Sequence, residues 1–157
     1  MKRLRTLSVI GAGEASRELR NLAEEVGREI ARHGTVLVCG GRGGVMEAAA
    51  QGALSAGGHT IGILPGSDRA AANRYIEFAI ATGIGEARNA IVVASGDAVI
   101  AMEGEAGTLS EIGLAMKIGR PVVALNSWEN IDGVDRANDA RTAVALALKL
   151  AARARRK

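Results

Sequence analysis

Apolar residues along this chain fall into short uninterrupted runs that predict buried β-strands. A strand covered on both faces of a parallel sheet carries apolar side chains at every position, so its run is continuous. Five such runs read TLSVI, TVLVC, TIGIL, DAVIAM and PVVAL, at residues 6–10, 35–39, 60–64, 97–102 and 121–125. A sixth strand is predicted at residues 76–81, where apolar residues alternate with other types.

Longer stretches between these runs have the spacing of amphipathic helices. After the first run, one helical face is apolar and predicts a helix at residues 14–33; its members are Leu19, Leu22, Ala23, Val26 and Ile30. Further helices are predicted at residues 45–56, 85–95, 108–118 and 137–155. The stretch 85–95 is rich in β-formers, but neighbouring parallel strands need a crossover, which favours a helix there.

Strand and helix alternate about five times along the chain, which indicates the α/β class. We predict a Rossmann-like, three-layer α/β/α fold with a mostly parallel sheet of about six strands. The length of 157 residues predicts a single domain, spanning residues 1–157.

Composition excludes several kinds of protein. Only Tyr75, Phe78 and Trp128 are aromatic, which leaves few rings to stack on bases and argues against a single-strand nucleic-acid binder. Cys39 is the only cysteine, so no intrachain disulfide can form. We find no signal peptide and no membrane span, and we expect a cytoplasmic protein with no membrane partner.

The net charge of +3 belongs to the ends of the chain. Seven of the 20 Lys and Arg residues lie there, which leaves 13 basic against 17 acidic residues in the rest. The seven are Lys2, Arg3, Arg5, Arg153, Arg155, Arg156 and Lys157. We interpret them as solvated ends rather than as a nucleic-acid footprint, and predict no nucleic-acid partner.

Three glycine-rich turns follow predicted strands and precede predicted helices. Such turns lie at the carboxyl edge of a parallel sheet, where ligands bind. Their bare backbone N–H groups and the helix N-termini behind them favour an anion, so we predict a small-molecule ligand that carries a phosphate. The candidate ligand-binding residues in the turns are Gly11, Gly13, Gly40, Gly41, Arg42, Gly43, Gly44, Gly104, Gly107 and Thr108.

Familiar nucleotide and catalytic motifs are missing. GAGEAS lacks the third glycine of the dinucleotide fingerprint, and the second strand ends in Cys39-Gly40 rather than an acidic residue, so we expect no NAD site. Neither a P-loop nor a G-x-S-x-G elbow occurs. His33 and His59 have no companion Cys/His cluster, and we predict no metal site.

Glu111 admits two interpretations. Residues 108–111 read TLSE, a capping box in which the Thr108 hydroxyl and the Glu111 carboxylate bind backbone N–H groups at a helix start. Alternatively, the carboxylate does chemistry on a ligand held by the glycine turn before it. A residue in a first helical turn can do both, so the two interpretations stay open together.

Three stretches of the chain resemble one known family. They read GGRGGVMEAAAQGA, TIGILPG and ARNAIVVASGDAVIAMEGEAGTLSEIGLA. They are similar to the LOG (lonely guy) or "lysine decarboxylase-like" superfamily, and most similar to the small branch containing the molybdenum-cofactor carrier proteins. The most specific feature is an Arg followed 23 residues later by the Glu of a P-G-G-x-G-T-x-x-E motif, here Arg88 and Glu111.

The resemblance implies a ligand class and two roles. LOG enzymes are nucleoside 5′-monophosphate phosphoribohydrolases, which release the free base and ribose 5-phosphate; they are not lysine decarboxylases. It implies Arg88 and Glu111 as catalytic residues if the chain is an enzyme, Arg88 as a ligand-binding residue in either case, and residues 104–108 as the phosphate turn. It also implies a homodimer or higher homo-oligomer and no required cofactor, with the molybdenum cofactor as possible bound cargo.

The chain departs from the family motif at three positions. Glu103 replaces the proline, Glu105 replaces the second glycine, and Asn89 stands where a lysine follows the Arg. A carboxylate in the turn repels a phosphate unless it points away or is paired. We therefore favour a carrier- or sensor-like binding protein for an AMP-like nucleotide or molybdopterin/molybdenum cofactor, with the phosphoribohydrolase as the alternative and an oligomeric protein that has lost its ligand as a third hypothesis.

Overall fold

The computed structural model describes residues 3–154, which form a seven-stranded sheet with helices on both faces. The strands are β1 Thr6–Ile10, β2 Val36–Cys39, β3 Thr60–Leu64, β4 Phe78–Ala81, β5 Ala98–Ala101, β6 Val122–Leu125 and β7 Asp135–Ala137. The helices are α1 Arg17–Arg32, α2 Val45–Ser55, α3 Asn89–Ser95, α4 Ala106–Lys117 and α5 Ala140–Ala154, with 3₁₀ turns at Arg69–Ala71 and Gly85–Arg88. Some residues named in the sequence analysis lie outside the described part of the chain: Lys2, Arg156, Lys157 and Arg155, the last residue of the predicted helix 137–155.

The strand order is β4-β3-β2-β1-β5-β6-β7, and every neighbouring pair is parallel. The chain moves outward from β1 through β2 and β3 to β4, then returns to place β5 on the other side of β1. The loops after β1 and β5 therefore leave the sheet in opposite directions, which opens a crevice between them. The prediction of a Rossmann-like α/β fold is confirmed.

The core forms two layers because the central strands are buried on both faces. All four residues of β2, β5 and β6 are buried, as their continuous apolar runs predicted. Leu7 and Val9 of β1 join the layer packed under α1, α2 and α5. Ile10 points the other way, into the layer under α3 and α4. This alternation is the two-residue period of a strand.

Glycine lets α1 and α2 pack closely on one face of the sheet. A Cβ added to Gly27 of α1 would lie 1.9 Å from the carbonyl oxygen of Ala49 in α2. A Cβ added to Gly52 of α2 would lie 1.9 Å from the carbonyl oxygen of Glu24 in α1. The two backbones thus touch at two places where no larger residue fits.

The sheet has one strand more than the sequence predicted, and the last helix starts later. Residues 135–137 form β7 at the edge of the sheet, and Asp135 and Arg136 are exposed. An edge strand does not need a continuous apolar run, so no pattern announced it. The predicted helix 137–155 begins instead at Ala140, where the Asp139 carboxylate accepts a hydrogen bond of 2.8 Å from the Thr142 N–H.

Candidate functional site

The three glycine-rich turns converge on the backbone of Ala12. The Ala12 N–H donates to the Glu103 carbonyl oxygen at 2.8 Å, which joins the turn after β1 to the turn after β5. The Val45 N–H donates to the Ala12 carbonyl oxygen at 3.0 Å, which joins the turn after β2. Gly44 is needed at this junction, since its φ is +63° and a Cβ there would lie 2.2 Å from the Ala12 oxygen. The turns are thus held together by main-chain contacts.

A cleft of about 420 Å³ opens at this junction, in the crevice between β1 and β5. Its volume lies in the range of small-molecule sites. All three turns, the segment 86–89 and the start of α4 contribute to its walls. The lining residues are Val9, Ile10, Gly11, Ala12, Gly13, Glu14, Gly40, Met46, Glu86, Arg88, Asn89, Glu105, Gly107, Thr108 and Glu111.

The cleft brings together many, though not all, of the residues singled out from the sequence. The predicted site residues among its lining are Gly11, Gly13, Gly40, Arg88, Gly107, Thr108 and Glu111. The predicted residues that lie outside the lining are Gly41, Arg42, Gly43, Gly44 and Gly104. Two of these support the walls: Gly44 packs on Ala12, and Gly104 packs on Thr108, whose hydroxyl oxygen would lie 2.1 Å from an added Cβ.

Arg42 illustrates why position in a turn is not enough. Its side chain is exposed, and its carbonyl oxygen accepts a hydrogen bond of 2.7 Å from the Asn73 side-chain amide. Asn73 also donates from its N–H to the Gly41 carbonyl oxygen at 2.9 Å. The middle of this turn is therefore tied to the segment before β4 rather than turned into the cleft, and ligand contact by Arg42 stays a prediction.

Arg88 ends the 3₁₀ turn before α3 and is only 5% exposed. Its Nη1 donates to the side-chain oxygen of Asn89, and its Nε is buried with no hydrogen-bond partner among residues 3–154. In the same part of the chain, the ion pairs within 4 Å do not include Arg88. A buried guanidinium whose hydrogen-bond partner is a neutral amide, and whose nearest carboxylates stay beyond ion-pair distance, is costly unless an anion joins it.

Glu111 lies on α4 across from Arg88 and is 7% exposed. Its carboxylate makes no side-chain hydrogen bond with the described residues. Burial raises the pKa of Glu111 to about 7, the Arg88 guanidinium lowers this pKa in part, and the Glu86 carboxylate raises it further. Near neutral pH the group therefore exists in both protonation states, as an acid–base catalyst or a switchable ligand contact requires.

The capping-box interpretation of Glu111 is wrong. The helix begins two residues before Thr108, at Ala106, with Glu105 in the capping position and no side-chain cap. Thr108 consequently lies inside the first turn, packed on Gly104, and the Glu111 carboxylate is free of any capping bond. Glu105 has φ −114°, an ordinary extended conformation, so its backbone has no need of a glycine.

Carboxylates outnumber cations around the cleft. Glu14, Glu86, Glu105 and Glu111 line it together with the single guanidinium of Arg88. Sequence reasoning had missed Glu14, Glu86, Asn89 and Met46 as lining residues; Asn89 was noticed only as a departure from a motif. Their one common signal is that each lies within two residues of a predicted site residue along the chain.

Cys39 lies behind the cleft rather than in it. It is buried at the end of β2, where its Sγ accepts a hydrogen bond of 3.4 Å from the Gly41 N–H. Burial raises the pKa of the Cys39 thiol to about 11, so the sulfur is a neutral packing group at physiological pH. Within residues 3–154, no three His, Cys, Asp or Glu side chains are placed to share a metal ion.

Comparison with known proteins decides the family. A family model described as "SLOG cluster4 family" matches residues 4–152, nearly the whole chain. The chain belongs to the SLOG cluster4 family. The resemblance to the LOG superfamily, with its molybdenum-cofactor carrier branch, is thereby confirmed. The described part of this SLOG cluster4 protein contains no helix that is long and apolar enough to cross a bilayer.

Two proteins are similar in sequence to the SLOG cluster4 protein over most of its length. A protein of Archaeoglobus fulgidus named "Uncharacterized protein" is 46% identical over 132 residues, which cover 84% of this chain and 87% of that protein. A cytokinin riboside 5′-monophosphate phosphoribohydrolase of Mycobacterium tuberculosis is 35% identical over 126 residues, 74% of this chain and 67% of that enzyme.

Solved structures with the same fold include molybdenum-cofactor proteins. The molybdenum cofactor binding protein of Rippkaea orientalis is 38% identical with a TM-score of 0.89, over 96% of this chain and 99% of that chain. The Moco carrier protein of Chlamydomonas reinhardtii is 35% identical with a TM-score of 0.87, over 96% and 99% of the two chains.

Proposed function

We propose that the SLOG cluster4 protein is a single-domain, cytoplasmic binding protein for a phosphate-bearing, nucleotide-like small molecule, with a carrier or sensor role. One observation carries the proposal: the buried guanidinium of Arg88 has one neutral hydrogen-bond partner, and its Nε has none within residues 3–154. Leaving a buried charge without its partner destabilises a protein by several kcal/mol. An anion in the cleft supplies that partner.

The turns beside Arg88 suit the phosphate of such a ligand. Gly11 and Gly13 line the cleft from the turn after β1, and Gly107 and Thr108 line it from the first turn of α4. Backbone N–H groups at the start of a helix attract an anion through their unsatisfied hydrogens and the helix dipole. The exposed side chain of Glu105 opposes this attraction, which solvent screens in part.

An AMP-like nucleotide and molybdopterin or the molybdenum cofactor are the candidate ligands. Each joins a phosphate to a nitrogen heterocycle, and apolar Val9, Ile10 and Met46 line the cleft beside its polar groups. The structural relatives that bind or carry the molybdenum cofactor support a carrier role. The cofactor is then cargo, and the protein needs no resident cofactor of its own.

Binding measurements with matched ligands test the proposal. Calorimetric titration with AMP, and with adenosine as its uncharged counterpart, gives the contribution of the phosphate. We expect AMP to bind at least tenfold more tightly than adenosine, and Arg88→Gln to remove the difference, since a charged hydrogen-bonded contact contributes about 1.5–3 kcal/mol. Equal binding of AMP and adenosine by the unmodified protein refutes a phosphate site. Mass spectrometry of the protein purified from cells that synthesise molybdopterin identifies a bound pterin.

The buried carboxylate of Glu111 favours a second candidate function, the phosphoribohydrolase. Breaking an N-glycosidic bond builds positive charge on the ribose, and a carboxylate beside the ring stabilises that charge or deprotonates the attacking water. The curated enzyme of Mycobacterium tuberculosis supports this candidate. Release of adenine from AMP, measured by chromatography and abolished by Glu111→Gln, indicates the enzyme; AMP binding without adenine release indicates the carrier.

We also propose a homodimer or higher homo-oligomer. Several large apolar side chains on or near β4, α3 and α4 are between 39% and 54% exposed, and exposed apolar patches are typical of interfaces between subunits. They include Phe78, Ile80, Ile84, Ile91 and Leu109. Light scattering coupled to gel filtration measures the mass in solution, and a mass of one chain at all concentrations contradicts the proposal.

A further inference from the structure

Asn89 is the immediate partner of Arg88 in the cleft. It begins α3, is 6% exposed, and accepts a hydrogen bond from Nη1 of Arg88 through its side-chain oxygen. A guanidinium has donors and no acceptor, so only the oxygen of the amide can meet it. This contact settles the orientation of the amide group: its oxygen, and not its NH₂, faces Nη1.

The NH₂ group of Asn89 makes no hydrogen bond with the residues that the structure describes. An asparagine at a helix start commonly caps the backbone with its oxygen, but no side chain caps α3. The fully buried side-chain nitrogen and oxygen atoms that lack a partner among the described residues are Arg88 Nε and Arg120 Nε, so the NH₂ of Asn89 is not sealed off and keeps access to solvent. Asn89 lines the cleft, so a ligand acceptor is the partner within its reach.

We propose that Asn89 is a positioning and specificity-determining residue of this cleft: its oxygen holds the Arg88 guanidinium, and its NH₂ donates to the ligand's phosphate. This inference rests on the proposed function, because it requires that a phosphate enters. The oxygen and nitrogen of an amide share one carbon, so the NH₂ lies beside the guanidinium that the oxygen binds. The two side chains together form one donor surface for an oxyanion.

Gly40 fixes the opposite side of this donor surface. A Cβ on Gly40 would lie 2.9 Å from Nη2 of Arg88 and 3.0 Å from its Cζ. The guanidinium therefore lies against the Gly40 backbone on one side and is held by Asn89 on another. Because Arg88 and Asn89 are confined in this way, we expect Asn89→Asp to replace the NH₂ that faces the ligand with an oxygen while Arg88 keeps its position.

Two substitutions probe Asn89 in different ways. Asn89→Asp keeps an oxygen for Arg88, removes the NH₂ donor and adds a negative charge; Asn89→Leu has a similar size and removes both donor and acceptor. Asn21→Asp is the matched control, because Asn21 is exposed on α1 and does not line the cleft. The readout is the ratio of AMP to adenosine affinity, with thermal unfolding as the test of folding.

We expect the preference for AMP over adenosine to fall about 10- to 100-fold in Asn89→Asp, the range for loss of one hydrogen bond to a charged group. Adenosine affinity should stay within about threefold of the unmodified protein's. A merely structural role of Asn89 would instead lower the affinities for AMP and adenosine together. If Asn89→Asp does not fold, the same ratio measured with Asn89→Leu decides. A folded variant that keeps the full preference overturns this inference alone, whereas an unmodified protein without any preference overturns the proposed function.

Discussion

Gly40 and Arg88 are so close that no side chain fits between them. The nearest guanidinium nitrogen would lie 2.9 Å from a Cβ on Gly40, and the sulfur of Met46 would lie 2.7 Å from it. Gly40 is not in the left-handed region, unlike its neighbour Gly41 with φ +75°. A glycine at position 40 therefore matters because it leaves room for Arg88, and not because the backbone there requires a special conformation.

Gly40→Ala should consequently displace the guanidinium without unfolding the protein. We expect AMP affinity to fall at least about tenfold, because a misplaced guanidinium loses a charged contact to the phosphate. Calorimetric titration measures the effect. The control is Gly66→Ala, at an exposed turn with no atom within 4 Å of an added Cβ, which should bind AMP normally. Unchanged affinity in Gly40→Ala would show that the ligand does not depend on Arg88 as placed here.

Glu111→Gln should change how stability depends on pH. The pKa of Glu111 is about 7 when folded, against 4.5 for an unperturbed glutamate, so the folded protein holds this proton more tightly. The contribution of this residue to folding stability is therefore largest below about pH 4.5 and is lost as pH rises through 7, by an amount on the order of 3 kcal/mol. The variant lacks the ionisation and should be more stable than the unmodified protein at pH 8.

Urea denaturation between pH 5 and pH 8 checks this expectation. The stability advantage of Glu111→Gln should shrink as pH falls, to less than about 1 kcal/mol at pH 5. Glu129→Gln, at an exposed loop position, controls for the loss of one negative charge. A difference between Glu111→Gln and the unmodified protein that stays constant across this pH range contradicts burial of an ionised carboxylate as the cause.

Glu105→Gln should strengthen the binding of AMP. Glu105 lines the cleft in the capping position of α4, where its charge opposes an incoming phosphate. Because the side chain is exposed, the gain should be modest, about two- to fivefold at low salt and smaller at high salt. The adjacent control is Glu103→Gln, an exposed residue outside this cleft. Equal gains from both variants would mean that overall charge, and not the turn, sets the affinity.

Gly27→Ala should destabilise the protein, whereas Gly113→Ala in another helix should not. The new Cβ would meet the Ala49 carbonyl oxygen at 1.9 Å, so α1 and α2 must separate, at a cost of about 1–3 kcal/mol or more. Gly113→Ala on α4 meets no atom within 4 Å and should stabilise by about 0.5–1 kcal/mol. Urea midpoints measure both, and changes of the same sign would contradict close packing of α1 on α2.

The central strands were predictable from sequence, whereas the chemistry of the cleft was predictable only in part. Burial on both faces demands apolar residues at every position of β2, β5 and β6, so their runs revealed them. β7 was not predicted, because an edge strand with exposed Asp135 and Arg136 carries no such run.

The spacing of Thr108 and Glu111 led to a wrong prediction, because spacing alone does not define where a helix begins. The pattern Thr-x-x-Glu fits a capping box only if Thr108 precedes the helix, and α4 starts two residues earlier. Arg88 and Glu111 were found through a family motif. The role of Asn89 was out of reach, since it depends on a 3₁₀ turn that brings two adjacent side chains into contact.

The junction at Ala12 has an evolutionary consequence. Its amide and carbonyl groups link the three turns through main-chain atoms that every amino acid except proline provides. Mutation can therefore rewrite the side chains around the cleft while the scaffold that presents them persists. Divergence in what the cleft accepts therefore needs no new architecture.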